Sequence, residues 1–351
     1  MTTRSGPIWS RLLLALILTT IGIVLPSAQG SVTAVASATL PRGYFFPRPA
    51  STSTIPGTLL HSEPLTGPEL PDGAQAWRIE YATAAPDGSS STAIATVLAP
   101  DVLPPGPMPV IAWAHGAVGL VRRCLPSSLA NPWQDTPALE RAVANGWMVI
   151  ATDYQTDDNG VHPFLIGEGQ ARSTLDAVRA LRQMREVVMD NRVVLWGHSQ
   201  GGHAALWTAM IAPKYAPDVG IRGVVAISPV TGLLSLLHRQ HELHVAPLLG
   251  SWLAMAYSSY YPDLPYDTIV THSAREVGRE LAVRCPQDPL DGVAIALLLG
   301  RLGDERLLTV PATAAFRARL AENEPDGHLV VPVVIAQGLE DAIVLPEVTA
   351  E

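Results

Sequence analysis

"VVLWGHSQGG", Val193 to Gly202, is the stretch on which the reading of this chain turns. An apolar, β-branched run stops at Gly197, a serine stands between two glycines, and "HAALWTAMIA" continues as an alanine-rich helical pattern. Gly197-His198-Ser199-Gln200-Gly201 fits G-x-S-x-G, the strand-to-helix turn that exposes a nucleophilic serine. The pattern alone is weak, because an ordinary glycine-rich turn between strand and helix shares it. The strand before and the helix after strengthen it. The glycines have a mechanical reason: side chains two residues either side of Ser199 would collide with the neighbouring strand and helix.

Working outward, strands and helices alternate. "AWRIEYATA" (Ala76 to Ala84) and "STAIATVLAP" (Ser91 to Pro100) flank the turn signal "PDGSS" and predict a β-hairpin. "MPVIAWAHG" predicts a buried strand ending at His115-Gly116. A helical stretch near Pro137 to Asn145 leads to a further strand, "GWMVIATDY". Ala171, Leu175, Val178 and Leu181 recur at helical spacing within Gly167 to Met184. Strands follow at "RVVLWG", "IRGVVAIS" and "LVVPVVIAQG" (Leu329 to Gly338), with a helix over Gln200 to Ala212. This alternation implies an α/β protein with a mostly parallel sheet and helices on both faces. Between about 229 and 324 the pattern holds only helices and turns. An insertion entering at a strand end reads as a helical cap over the sheet edge where open α/β sheets bind ligands. The expected organisation is therefore a leader over 1–38, an extended arm over 39–75, a first core part over 76–228, a cap over 229–324 and a last core part over 325–351.

Composition narrows the function classes. The chain has 351 residues, 48% of them hydrophobic and 16% charged, with a formal net charge of −9. That profile is globular. No basic run exceeds Arg122-Arg123, so no nucleic-acid partner is expected. Arg4 and Arg11, the apolar run Leu12 to Leu25, Pro26 and the small residues of "AVASA" read as a secretory signal peptide. The apolar run falls short of the roughly 18–20 residues of a membrane span. Export puts Cys124 and Cys285, the only cysteines, in an oxidising compartment, where a pair predicts a disulfide.

A nucleophilic serine needs donors for an oxyanion. The backbone N–H of Gln200, at the positive end of the following helix, is one. Gly116 and Ala117, in the "AHGAVG" loop after a central strand, are candidates for the second. His115 reads as a brace for that loop. At this point the chain resembles an exported α/β-hydrolase of the secretory lipase family, which includes fungal lipase A enzymes and many actinobacterial homologues. The resemblance runs from about residue 40 to the end. It rests on "AHG", "CLPS" at Cys124 to Ser127, "ATDYQ" with "GVHPFLIGEGQARSTLDAVRA", "GHSQGG" and "IAQGLEDAIV". It implies a serine lipase or esterase acting on acylglycerols or similar lipophilic esters, a lipid–water interface as its place of work, and no metal or organic cofactor. No protein partner is inferred.

Within that resemblance Asp341 matches the family's G-x-x-D-x-x-V acid, which orients and stabilises the imidazolium. Glu340 and Asp153 are alternatives, Asp153 more as a structural group. The base is the gap. The chain order in this fold is serine, acid, histidine. The ten histidines are 61, 115, 162, 198, 203, 238, 241, 244, 272 and 328, all before Asp341. His238, His241 and His244 are spaced three apart, a conceivable metal site but more simply a polar helix face. The triad histidine is therefore expected beyond residue 351, together with a last helix and strand. "LPEVTAE", with Pro346 in a first-turn position, reads as a helix cut in mid-pattern. Such a chain would be inactive and would expose apolar sheet surface. Two other readings stand beside this one: acyl transfer or peptide hydrolysis on the same fold, and a non-catalytic protein that binds lipid under the cap.

Overall fold

The computed structural model describes residues 55–66, 70–239, 245–309 and 312–350. The expected signal peptide, the first part of the arm, His241 and His244 lie outside them. Eight strands form one sheet: β1 (Leu59–Pro64), β2 (Ala74–Ala84), β3 (Ser90–Pro100), β4 (Met108–Ala114), β5 (Met148–Gln155), β6 (Met189–His198), β7 (Ile221–Ile227) and β8 (Val333–Ala336). Their spatial order is β1-β2-β3-β5-β4-β6-β7-β8. The first three pairings are antiparallel, and the remaining four, from β5–β4 to β7–β8, are parallel. The expectation of a mostly parallel α/β sheet is met, and the hairpin forms at "PDGSS".

One expectation needs correction. The span 39–75 is not only an arm: Leu59 to Pro64 is a strand that pairs with β2 from Leu59↔Tyr81 to Pro64↔Trp77. Pro56, Gly57 and Pro64 make this segment read as a loop. An edge strand tolerates proline because one side of its backbone has no partner.

Helices α1 (Leu139–Ala144), α2 (Gly167–Leu181) and α3 (Gln200–Tyr215) cover the sheet. In α2 the periodic residues Ala171, Leu175, Val178 and Leu181 are all buried, as the spacing requires. Leu175, Val178 and Leu181 pack with Val110, Val193 and Leu195 in one core layer, which also takes Ala205, Leu206 and Ala209 of α3. The opposite face is closed by Leu139 and Val143 of α1 on Trp113, Trp133 and Val149. Trp113 and Trp196, paired in register on β4 and β6, meet edge to face at 6.1 Å between ring centroids.

Between β7 and β8 the chain forms α4 (Leu233–His238), α5 (Ala246–Tyr260), α6 (Tyr266–Ile269), α7 (Arg275–Ala282), α8 (Pro289–Leu302) and α9 (Ala314–Glu322). Their core around Trp252, Tyr257, Leu281 and Phe316 also takes Leu120, Phe164, Ile166 and Val344 from outside the insertion. A last short helix, α10 (Pro346–Thr349), follows β8. Among the described residues no helix is long and apolar enough to cross a membrane, the stretch 290–300 in α8 included.

Candidate active site

Ser199 sits between β6 and α3 with φ 56° and ψ −119°, a left-handed conformation rare outside glycine. Its neighbours leave no other path. A Cβ on Gly197 would lie 2.0 Å from the Gly201 carbonyl oxygen, and one on Gly201 would lie 1.9 Å from the Ala114 carbonyl oxygen. The turn is anchored from below: the Ser199 N–H donates to the Ile227 carbonyl at 2.8 Å, and the Val230 N–H donates to the Ser199 carbonyl at 3.2 Å. Strain of this kind persists only where the surroundings over-determine it.

Four of the predicted site residues, Gly116, Ala117, Ser199 and Gln200, lie beside one another. Gly116 approaches the turn so closely that a Cβ there would be 3.4 Å from the His198 carbonyl and 3.8 Å from Cβ of Ser199. Ala117, Ser199 and Gln200 line one cavity, and Gln200 is the first residue of α3. The His115 ring lies against its own loop, 2.7 Å from Nδ1 to the Gly116 carbonyl, and on Tyr154 at 4.6 Å between ring centroids. Burial keeps this imidazole neutral, its pKa pulled down to about 4. His115 is thus placed to support the loop.

The loop is held from outside as well. Gly119 has φ 123°, and a Cβ there would be 2.6 Å from Sγ of Cys124, so only glycine passes over that sulfur. Cys124 is bonded to Cys285 across 161 positions. Beside the bond, the buried Asp291 accepts from the Cys285 N–H at 2.9 Å and pairs with Arg123 at 2.6 Å and Arg284 at 3.1 Å. This bracket joins the loop carrying Gly116 and Ala117 to the helical insertion.

Asp341 stands in the turn after β8. Burial opposes its ionisation. The N–H groups of Ile343 (2.9 Å) and Val344 (3.0 Å), the Ser228 hydroxyl and the Gln337 amide outweigh that and hold its carboxyl below the ordinary value. None of these donors is a histidine. Ser228 ties the acid to the elbow, since it follows Ile227, whose carbonyl receives the Ser199 N–H. Sequence reasoning missed Ser228; its positive φ of 40° at a strand end leaves no local signature. Glu340 is exposed. Asp153 is buried and spent on structure: it accepts from the N–H (3.0 Å) and hydroxyl (2.5 Å) of Ser127, and burial raises its pKa to about 6.

His203, fully buried on α3, donates from Nε2 to the Asn323 carbonyl at 2.8 Å. Burial lowers its pKa to about 4. Asn323 also receives Trp207 Nε1–H at 3.0 Å and, on its side-chain oxygen, the Gly167 N–H at 2.9 Å. It therefore fastens the end of α9 to α2 and α3, a role sequence reading did not find. His198 is exposed, and His238 ends α4. Among the described residues no group of three or more metal-ligating side chains occurs.

Sheet order, elbow and inserted helices together define the class, an α/β-hydrolase. Comparison with known proteins agrees. The secretory lipase model matches residues 132–349. A protein named a probable inactive lipase, from Mycobacterium tuberculosis, is 26% identical over 324 residues, which span 86% of this chain and 70% of that protein. Lipase A of Moesziomyces aphidis is 26% identical over 211 residues, 56% of this chain and only 45% of its own length. The rice cell wall degrading esterase LipA from Xanthomonas oryzae superposes with a TM-score of 0.70 at 22% identity, covering 84% of this chain and 86% of that one. Candida antarctica lipase A in its closed state gives 0.70 at 19% identity, covering 89% and 77%. The chain belongs to the secretory lipase family.

Proposed function

We propose that this chain is the body of a secreted serine lipase or esterase that hydrolyses lipophilic carboxylic esters. The observation that carries the reading is Ser199, held at positive φ on the strand-to-helix turn and lining an apolar cavity with Ala117 and Gln200. In this mechanism Ser199 Oγ attacks the ester carbonyl carbon. The carbonyl oxygen, now an oxyanion, accepts from the Gln200 N–H and from Gly116 or Ala117. The alcohol leaves with a proton, and water then attacks the acyl-enzyme to release the acid. The Ser199 hydroxyl proton passes to an imidazole base, supplied in the test below as free imidazole, which returns it to the departing alcohol; Asp341 is the group that would orient such a base. The reading gives the base role to none of the ten histidines, because each precedes the acid in the chain. The family's name and the apolar run Leu12 to Leu25 support export.

A second reading has its own support. No histidine is among the donors that hold Asp341, and the mycobacterial relative is named as probably inactive. On that reading the chain binds lipid without turnover.

One experiment separates the two. Free imidazole can replace a missing base in solution. The chain is expected to hydrolyse p-nitrophenyl butyrate, and to react with a fluorophosphonate at Ser199, with rates that rise with imidazole concentration. Both should vanish in Ser199→Ala above the imidazole-only background. A Ser199 that stays unlabelled at every imidazole concentration refutes the hydrolase reading and leaves lipid binding in its place.

A further inference from the structure

The loop that carries Gly116 and Ala117 begins and ends on a buried imidazole. His115 starts it. His162 closes it: its backbone N–H donates to the Leu120 carbonyl at 3.1 Å. Both side chains are buried, and their ring centroids are 6.4 Å apart. Tyr154 packs against both, at 4.6 Å from His115 and 6.1 Å from His162 between ring centroids. Burial holds the two imidazoles neutral, with pKa values pulled down to about 4 and about 3.

A neutral imidazole has one N–H and one bare acceptor nitrogen. The 2.7 Å contact of His115 Nδ1 with the Gly116 carbonyl assigns the proton to Nδ1 and leaves Nε2 bare. The Gly119 carbonyl favours a proton on one nitrogen of His162, although the geometry closes no hydrogen bond, and the other nitrogen is bare. Among the described residues neither bare nitrogen has a donor. The two rings cannot satisfy each other, because each of these nitrogens needs a proton and neither has one to give. Buried polar groups in this position are ordinarily met by an ordered water. A water that donates to a ring nitrogen lies roughly 4 Å from the ring centre, so two rings sharing it at a tetrahedral angle stand roughly 6–7 Å apart. The observed 6.4 Å matches. A metal ion bound by nitrogens at about 2.0–2.1 Å would draw the centres to roughly 5 Å. We infer that His115 and His162 hold one internal water that donates to both rings, and that His162 acts through it as a positioning residue, fixing the approach of Gly116 and Ala117 to Ser199. This role rests on the oxyanion reading of that loop.

Oxygen-17 relaxation dispersion of water counts the molecules held inside the 351-residue chain. His162→Phe replaces the ring nitrogens with carbon and should lower that count by one. His162→Gln offers an amide N–H and a carbonyl oxygen and should restore it. The imidazole-supported kcat on p-nitrophenyl butyrate should follow the water. It should fall about ten- to a hundred-fold in His162→Phe with KM unchanged, and return to within about three-fold of the parent in His162→Gln. A count that His162→Phe leaves unchanged overturns the inference. So does a kcat that stays at the parent value once the water is gone, or one that His162→Gln fails to restore while the water returns. If His162→Phe does not fold, the parent labelled with carbon-13 histidine decides. The ring C–H protons of His115 and His162 should cross-relax with water with the sign of a bound molecule, and their failure to do so refutes the site. Failure of the hydrolase reading looks different: Ser199 stays unlabelled with imidazole in the parent, while His162→Phe still costs one water.

Discussion

The two sides of Ser199 are built by different means. On the β6–α3 side, backbone meets backbone at distances that admit no side chain, and the Gly116 loop is bracketed by a disulfide and a three-membered ion cluster. On the β7–β8 side, a four-residue strand at the sheet edge leads to Asp341, whose partners are side-chain and turn donors. Val334 and Ile335 of that strand are 58% and 52% exposed. The nucleophile is thus held by steric exclusion, which tolerates almost no substitution. The acid is held by hydrogen bonds, which can be exchanged for others at a modest cost.

Gly201→Val should break the comparison at its strongest point. Its Cβ would have to share space with the Ala114 carbonyl, so we expect no folded protein, a loss beyond about 5 kcal/mol, read from circular dichroism and soluble yield. A folded, cooperative Gly201→Val variant would show the elbow to be far softer than its distances imply. Next in size is the bracket. Closing a loop across 161 positions is worth up to about 5 kcal/mol in the chain-entropy model. Cys124→Ser with Cys285→Ser should lower urea stability by a large part of that. Amide exchange at residues 116–120 should rise while that at β8 stays unchanged. Equal changes in both places would mean that the bond stabilises the fold at large and does not bracket the loop.

This division also explains what could be read in advance. The elbow was legible because its demands are local: glycines two residues from the serine, a β-branched run before and small residues after. The helix over 167–181 was legible because Ala171, Leu175, Val178 and Leu181 are all buried, the last three in one core. What escaped depends on distant partners. Leu59 to Pro64 is a strand only because β2 offers an edge. Asn323 gains its role from Gly167, His203 and Trp207, all more than a hundred positions away. Ser228 matters only once Asp341 folds beside it. Neither periodicity nor composition encodes such pairings.

His203 gives a test of intermediate size, because it links the elbow helix to the insertion. Its folded pKa, about 4, lies below the ordinary 6.5. A lowered value means stability that is present above pH 6.5 and lost as pH falls toward 4. The contribution is about 3 kcal/mol over that window. His115 and His162 are lowered by burial in the same sense. Asp153 and Asp176, raised to about 6, act in the opposite sense: the stability they contribute is greatest at low pH and is lost as pH rises through about 6. His203→Gln keeps a donor for the Asn323 carbonyl and removes the titration. The variant should lose about 3 kcal/mol less than the parent between pH 6.5 and 4 in parallel urea melts. Identical pH slopes would mean that His203 does not titrate in this window.

The smallest effect belongs to the open edge. Val334 and Ile335 face solvent with little burial to lose, and β8 pairs with β7 through its backbone. Val334→Thr with Ile335→Thr keeps the β-branched shape and should change stability by less than about 0.5 kcal/mol. An exposed apolar strand edge is a template for pairing with another chain, so the same change should lower light scattering at high protein concentration. The matching pair on the elbow side, Val193→Thr with Leu195→Thr on β6, buries two unpartnered hydroxyls and should cost several kcal/mol. If the two pairs cost the same, the contrast between a sterically closed side and an open one would not describe this molecule. A large gap between them would locate the rigidity of the site on the nucleophile's side of the sheet.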